Sequence, residues 1–309
     1  MALVTMKSIL DRASAENYAV GAFNVNNLEF VSAIMSAAAE ENSPVIIQVS
    51  EGAISYAGIE EIVAMVRAAS GKTDVPVALH LDHGKKFEAI VNCIRNGFTS
   101  VMIDGSAFPL EQNVAVTAEI VKIAHAVGVT VEGEIGRLGG IEDNVSVDAK
   151  DALLTDPDEA KFFVDNTGVD CLAVAIGTSH GPRKFKGEAK LAIDLVAKIK
   201  EKVGIPLVLH GASGVPAYIT ELGQKYGAQW SGSKGVPDES IKQAVAKGIN
   251  KVNIDTDMRL AYLATAREVM ANKPEITDVR DVLKPARAAI KEIVVHKMKL
   301  LGSSGKAWK

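Results

Sequence analysis

Residues 79–84 read LHLDHG and close a short apolar run, PVALHLD (76–82), whose polar side chains gather at one end. Seven other β-branched runs do the same: AVGAFNV (19–25), PVIIQVS (44–50), SVMIDGS (100–106), TVEGEIG (130–136), CLAVAIGTS (171–179), PLVLHGA (206–212) and KVNIDTD (251–257). Stretches such as LEFVSAIMSAAAEEN, FEAIVNCIRNG, VTAEIVKIAHAVG and KLAIDLVAKIKEKVG lie between them, with apolar residues three and four apart and Gly or Asn at their ends. Near-continuous apolar strands alternating with amphipathic helices imply a parallel sheet covered by helices. An open, doubly wound sheet would share that pattern, but its outer strands would lie too far apart to serve one site. Polar endings on every candidate strand favour closure into a (β/α)8 TIM barrel, where all of them meet at the C-terminal mouth. No linker or low-complexity tract divides the chain, so a single α/β domain is expected over 1–309, with C-terminal helices at about 278–300 and extended active-site loops.

Composition agrees with a protein built around a large core. The chain has 309 residues, 48% of them hydrophobic and 23% charged, and a formal net charge of -4. That balance gives no basic footprint for a nucleic acid, so phosphate recognition has to be local. Cys93 and Cys171 stand inside apolar stretches and read as buried thiols, not as a disulfide framework. The N-terminal MALVTMKSILDRAS has no signal-like apolar region, and no run reaches membrane-spanning length, so a cytoplasmic protein with no membrane partner is expected.

Three strand-end histidines, His83, His180 and His210, meet the count of a catalytic zinc site, which uses three protein ligands and keeps one position open. His80 shares a strand face with Asp82 and competes with His83 for the ligand position, because His83 turns inward only if the chain bends at the strand end, where Gly84 would help. Asp82 beside a cation stays ionised and placed to move a proton. Asp104 and Glu134 would orient the ligand histidines or hold the metal in an alternative position. Two long loops follow the fifth and seventh candidate strands, at 136–156 and 215–237; the first, GRLGGIEDN, has hinge glycines and an acidic pair, Glu142 and Asp143, that it could carry over the mouth.

The seventh and eighth strand ends, HGASGVP and NIDTDMR, lie where barrel enzymes bind phosphate. Gly211, Ser213 and Gly214 let backbone N–H groups and a hydroxyl close on an anion, Asn253 and Thr256 add short donors, and SHGPRKFKG contributes Gly181 and Lys184. Arg259 and Arg280 suit a second phosphate or stand as solvated helix charges. A metal beside a phosphate pocket suggests Lewis-acid chemistry on a phosphorylated keto compound, through an ene-diolate. No lysine ends a strand in an apolar setting, which disfavours a Schiff base.

Taken together, YAVGAFNVNN, PVIIQVSEGA, LHLDHG, SVMIDGS, VEGEIGRLGGIEDN, AIGTSHG, LVLHGASG and KVNIDTD resemble the class II fructose-1,6-bisphosphate aldolases over essentially the whole chain. The resemblance implies reversible cleavage of fructose 1,6-bisphosphate to dihydroxyacetone phosphate and glyceraldehyde 3-phosphate, in glycolysis and gluconeogenesis. It implies zinc on His83, His180 and His210, proton transfer at the C4 hydroxyl by Asp82, and handling of the carbon-bound proton by Glu142. By the same likeness Gly181, Lys184, Gly211, Ser213, Asn253 and Thr256 surround the ketone-end phosphate, Asp255 meets sugar hydroxyls, and Asn24 and Ser50 contact the ene-diolate and phosphate. Arg280 resembles an arginine reaching the aldehyde-end phosphate from a partner subunit, with Arg259 assisting. The family's monovalent cation, such as Na+ or K+, and a homodimer or homotetramer are implied as well. Three rival readings are a tagatose-1,6-bisphosphate aldolase, a zinc hydrolase and a non-catalytic sugar-phosphate-binding protein; NIDTD favours the fructose substrate, and intact Asp82 and Glu142 favour catalysis.

Overall fold

The computed structural model describes residues 3–137, 139–142, 145–147, 153–180, 191–230 and 234–308, with the backbone alone described for 139–142, 145–147 and 180. Strands are numbered along the chain. Eight parallel strands close into a barrel: β1 (Val20–Asn24), β2 (Val45–Ser50), β3 (Val77–Gly84), β4 (Ser100–Ile103), β5 (Thr130–Ile135), β8 (Cys171–Val174), β10 (Leu207–Leu209) and β11 (Ile249–Ile254). Each pairs with the next in sequence, and β11 returns to β1, with Val20 opposite Lys251 and Phe23 opposite Ile254. A second small sheet joins β6 (Gly139–Glu142), β7 (Val145–Val147) and β9 (Ser179–His180) in the order β7-β6-β9. The expected sixth strand, 171–179, is therefore two pieces. It leaves the barrel after Val174, passes Gly177 at φ 98°, and pairs again with β6 beyond the mouth.

The helices are α1 (Met6–Ala15), α2 (Leu28–Glu40), α3 (Glu51–Ala57), α4 (Ile59–Ser70), α5 (Phe87–Arg95), α6 (Leu110–His125), α7 (Pro157–Thr167), α8 (Ile193–Val203), α9 (Ala217–Lys225), α10 (Asp238–Ala246), α11 (Thr256–Asn272) and α12 (Val279–Leu301). Their ends follow local chemistry. Asn27, Ser50, Asp156 and Asp278 accept N-terminal backbone N–H bonds for α2, α3, α7 and α12, while Gly168, Gly204 and Gly302 end α7, α8 and α12 in the left-handed region. The segment 215–237, expected as one long loop, contains α9, whose Ile219 packs into the core. The C-terminal helices expected near 278–300 are a single helix, α12.

Alternation along the strands divides the barrel into layers. Outward side chains such as Ile47, Val49, Leu79, Leu81, Val101 and Leu172 join the helices in the main core. Inward side chains at the N-terminal end are small and apolar: Ala22, Ile46, Ala78, Ala173 and Val208. They are sealed from below by Met6, Ile9, Leu10 and Ala13 of α1. One step up, the inward positions turn polar, with Gln48, His80, Glu132 and Lys251 all fully buried. Asn24, Asp82, Glu134, His210 and Asn253 form the next layer, at the mouth. Cys93 and Cys171 are buried free thiols, and among the described residues no helix is long and apolar enough to cross a membrane.

Candidate active site

The site is organised by a bulge at the end of β3. Successive strand residues face opposite sides, so Asp82 and His83 can both reach the mouth only if the strand is interrupted. The β3–β4 register shifts between Leu81 and Gly84, and His83 sits at φ 48°, a left-handed conformation that costs a non-glycine residue about 1–3 kcal/mol. The bend thus falls on His83 itself, not on Gly84 as the sequence suggested. Gly84 serves close approach instead, since a Cβ there would lie 2.5 Å from the Met102 carbonyl oxygen and 2.8 Å from Leu81 Cδ2.

Among the described residues, two overlapping sets of side chains have the spacing of metal ligands: Asp82, His83 and His210, and His83, Asp104 and Glu134, with candidate ligand atoms in each set within 4.8 Å of one another. The His83 and His210 rings meet edge to face at 4.6 Å. His83 Nδ1 lies 3.0 Å from Asp104 Oδ2 and 3.7 Å from Glu134 Oε2, and Ser106 steadies Asp104 by donating its hydroxyl at 2.7 Å. His80 is excluded as the competing ligand. It is fully buried one layer down, with Nδ1 2.8 Å from the Ser100 hydroxyl, and burial followed by the Lys251 charge keeps its ring neutral.

The electrostatics fit a cation. Burial lowers the His83 basicity, but Asp82, Asp104 and Glu134 outweigh it and hold its pKa well above the ordinary value. Glu134 is pushed above the carboxylate range by burial and then by Asp104, and its buried Oε2 lacks a hydrogen bond among the described residues. A divalent ion would relieve both the crowded carboxylates and that oxygen.

His210 has the geometry and charge state that a metal ligand would need. Glu132, despite burial, is held ionised by Lys251 at 2.9 Å and by His210, so it can only accept. His210 Nε2 must therefore donate across 2.8 Å to Glu132, and with burial lowering its pKa the ring is neutral. Its Nδ1 lone pair then faces the mouth, 3.5 Å from Glu134 Oε2. Glu132, Lys251 and Gln48 escaped the reading of strand ends because they lie inside the strands. Each stands two residues before a mouth residue, which is the signal that would have found them.

Asp82 is cradled by amides: Asn24 Nδ2 donates to Oδ2 at 2.9 Å, Gln48 Nε2 at 3.3 Å, and Asn253 Nδ2 donates to Oδ1 at 3.1 Å. Asn253 is in turn fixed by Lys251 Nζ at 2.8 Å. Ser50 caps α3 through Ala53. On the opposite wall, Gly211 adopts φ 62° against the Ser179 backbone, the Ser213 hydroxyl accepts from Asp255 N at 3.4 Å, and Thr256 opens α11 with its N-terminus toward the same turn. Arg259 pairs with Asp255 at 2.8 Å. Arg280 is not brought to this mouth: it is exposed at the start of α12 and forks onto Asp278. The backbones of Glu142 and His180 lie on neighbouring strands, with Gly140 of β6 opposite His180 of β9, while Gly181, Lys184 and Asp143 lie outside the described residues.

A family profile described as "Fructose-bisphosphate aldolase class-II" matches residues 4–306. The fructose-bisphosphate aldolase of Thermus caldophilus is 51% identical over 305 residues, covering 99% of this chain and 100% of the relative. That of Helicobacter pylori (strain ATCC 700392 / 26695) is 50% identical, covering 98% and 99%. The crystal structure of the YdjI aldolase from Escherichia coli K12 superposes with a TM-score of 0.80 at 33% identity, covering 99% of this chain and 100% of that one. With a barrel, a metal-ready mouth and relatives that agree from end to end, the chain belongs to the class-II fructose-bisphosphate aldolases, a family of lyases.

Proposed function

We propose that this aldolase cleaves fructose 1,6-bisphosphate reversibly into dihydroxyacetone phosphate and glyceraldehyde 3-phosphate, using zinc held by His83, His180 and His210. The observation that carries the reading is the meeting of Asp82, His83 and His210 within ligand distance at the barrel mouth. Class II membership implies a metal cofactor, and the neutral imidazole and carboxylate donors suit zinc. When bound, the zinc supplies Lewis-acid stabilisation for negative charge growing on the ketose oxygens.

The chain's own residues account for the proton movements. As the C3–C4 bond breaks, Asp82 takes the proton of the C4 hydroxyl, its carboxylate held in place by Asn24, Gln48 and Asn253. The electron pair moves toward the C2 oxygen, and a proton returns to C3 from Glu142, brought in on the β6–β7 strap. Asp104 and Glu134 orient the ligands or offer an alternative metal position. Gly181, Lys184, Gly211, Ser213, Asn253 and Thr256 bind the ketone-end phosphate, helped by the α11 N-terminus. Asp255 meets sugar hydroxyls, and Asn24 and Ser50 approach the ene-diol oxygens and phosphate. Arg280, exposed in its own subunit, reaches a partner's aldehyde-end phosphate in a homodimer or homotetramer, with Arg259 assisting. A monovalent cation, Na+ or K+, offsets charge near the ketone-end phosphate. Residues 1–309 act as one domain, and the enzyme works in the cytoplasm.

Cleavage of fructose 1,6-bisphosphate against tagatose 1,6-bisphosphate, with chelator and with restored Zn2+, tests this. Fructose cleavage lost on chelation, regained with zinc and absent in His180→Ala is expected. Chelator-resistant cleavage would refute the metal mechanism, and faster tagatose cleavage would move the substrate assignment.

A further inference from the structure

The turn after β10 is held from beneath by charged residues outside the metal site. Asp257, in the first turn of α11 and fully buried, accepts two consecutive backbone N–H groups: Gly214 N donates to Oδ2 at 2.9 Å and Val215 N to Oδ1 at 2.7 Å. Lys297 of α12, itself buried, sits 3.5 Å from Asp257 Oδ2 and 3.1 Å from Asp238 Oδ1 at the start of α10. A Cβ on Gly214 would lie 3.0 Å from that ammonium. From the other side Val236 N donates to Ser213 O at 3.0 Å, and a Cβ on Gly235 would fall 2.2 Å from the Gly214 carbonyl carbon.

These restraints hold a conformation the sequence would not choose. Val215 is β-branched and sits at φ 45°, a state that persists only when its surroundings impose it. The Asp257 carboxylate imposes it by binding the N–H of Val215 and of its predecessor at once. Lys297 faces the buried Asp257 carboxylate at 3.5 Å and packs directly under Gly214.

We propose that Asp257 and Lys297 are positioning residues that preform the 211–215 turn for the ketone-end phosphate. This rests on the reading that the turn binds that phosphate. Neither residue touches substrate in this arrangement. They fix the Gly214 and Val215 peptide planes in advance, next to Ser213, so that binding does not have to order the turn. The role links the C-terminal helix α12 to substrate affinity.

The test uses the zinc-loaded full chain with Asp257→Asn, Lys297→Met, Lys297→Arg and, as a control on the same helix, the exposed Lys299→Met. In Asp257→Asn and Lys297→Met, KM for fructose 1,6-bisphosphate and the inhibition constant of inorganic phosphate should both rise about 10-fold while kcat changes far less. Lys297→Arg should recover most of the loss, and Lys299→Met should match wild type. Hydrogen exchange on the wild-type enzyme without ligand supplies a readout that needs no variant: the Gly214 and Val215 amides should already exchange as slowly as core amides. Free exchange until phosphate is added, or unchanged phosphate inhibition in Asp257→Asn with wild-type cleavage intact, would overturn the inference and leave the aldolase reading standing. A wild type that neither cleaves fructose 1,6-bisphosphate nor is inhibited by phosphate would overturn both.

Discussion

Replacing Glu132 with Gln should separate what holds the barrel together from what holds the metal. The side chain keeps its shape but loses the charge that faces Lys251 at 2.9 Å and accepts from His210 at 2.8 Å, in a site with no exposure to water. Lys251 then keeps no charged partner on Glu132, only neutral acceptors such as the Asn253 side-chain oxygen at 2.8 Å. Breaking a buried ion pair from one side typically costs about 3–5 kcal/mol, a large part of the roughly 5–15 kcal/mol that stabilises a domain. The second loss is directional. A glutamine amide has one acceptor oxygen for two donors, so either Lys251 or His210 meets an NH2 group. If it is His210, the ring changes tautomer and turns an N–H, instead of a lone pair, toward the metal position. Loss of such a partner weakens metal affinity about 10- to 100-fold. Zinc competition against a chromophoric chelator, alongside urea unfolding, reads the two effects separately. Lys251→Met should lose stability as well, because it leaves the Glu132 carboxyl buried without its counter-charge. A Glu132→Gln enzyme that keeps both the zinc affinity and the stability of the wild type would refute the arrangement of Lys251 and His210 on Glu132.

Gly84→Ala should cost about 1–3 kcal/mol in urea unfolding and weaken zinc binding, since the new methyl would press on the Met102 carbonyl oxygen at the bulge that aims His83; an unchanged midpoint would show that the bulge has slack. Asp238 lies below the ordinary carboxyl range because Lys297 and then His296 outweigh the effect of burial. A depressed folded-state value gives stability that is full above the unfolded value and disappears as pH falls through the folded one. Asp238→Asn should therefore cost about 0.5–1 kcal/mol at neutral pH, after allowance for solvent screening, and progressively less under acid; a pH-independent cost would contradict the ion pairs. Cys93 is pushed up to about 12 by burial and then by Glu51, and Cys171 is buried beside Glu132, so neither should react with a thiol reagent at neutral pH until the protein is unfolded, when both should.

The strand ends were legible because a parallel barrel keeps its apolar run continuous until the chain reaches the mouth, and the first polar residue marks that point. Asp82, His210 and Asn253 were found that way, and counting such endings was enough to argue closure. What lay inside the runs was hidden by the same continuity. Glu132 and Lys251 are isolated charges within apolar strands in the sequence until the closed barrel brings them to 2.9 Å and makes them one neutral pair. The role of α1 could not be read either: an amphipathic segment of ten residues says that one face is buried, not that it seals the barrel floor. The division of 171–179 depended on the distant β6, which only the folded chain supplies. The bend at His83 was hidden for a different reason, because a histidine in the left-handed region is disfavoured by local propensity and is imposed by the fit of Gly84 against β4.

The layering explains why a metal would belong at the mouth and not deeper. In the middle layer the charges of Glu132 and Lys251 cancel, and His80 stays neutral. In the layer above, Asp82, Asp104 and Glu134 converge, and among the described residues no Lys or Arg pairs with any of them; neutral amide and hydroxyl donors and a proton on His83 or Glu134 offset their charge. A divalent cation replaces that proton with two charges at a place where neutral His210 already offers a lone pair. The buried Glu132–Lys251 pair beneath it therefore acts less as a source of stability than as an orienting floor, which fixes His210 through Glu132 and Asp82 through Asn253 in one connected set of hydrogen bonds.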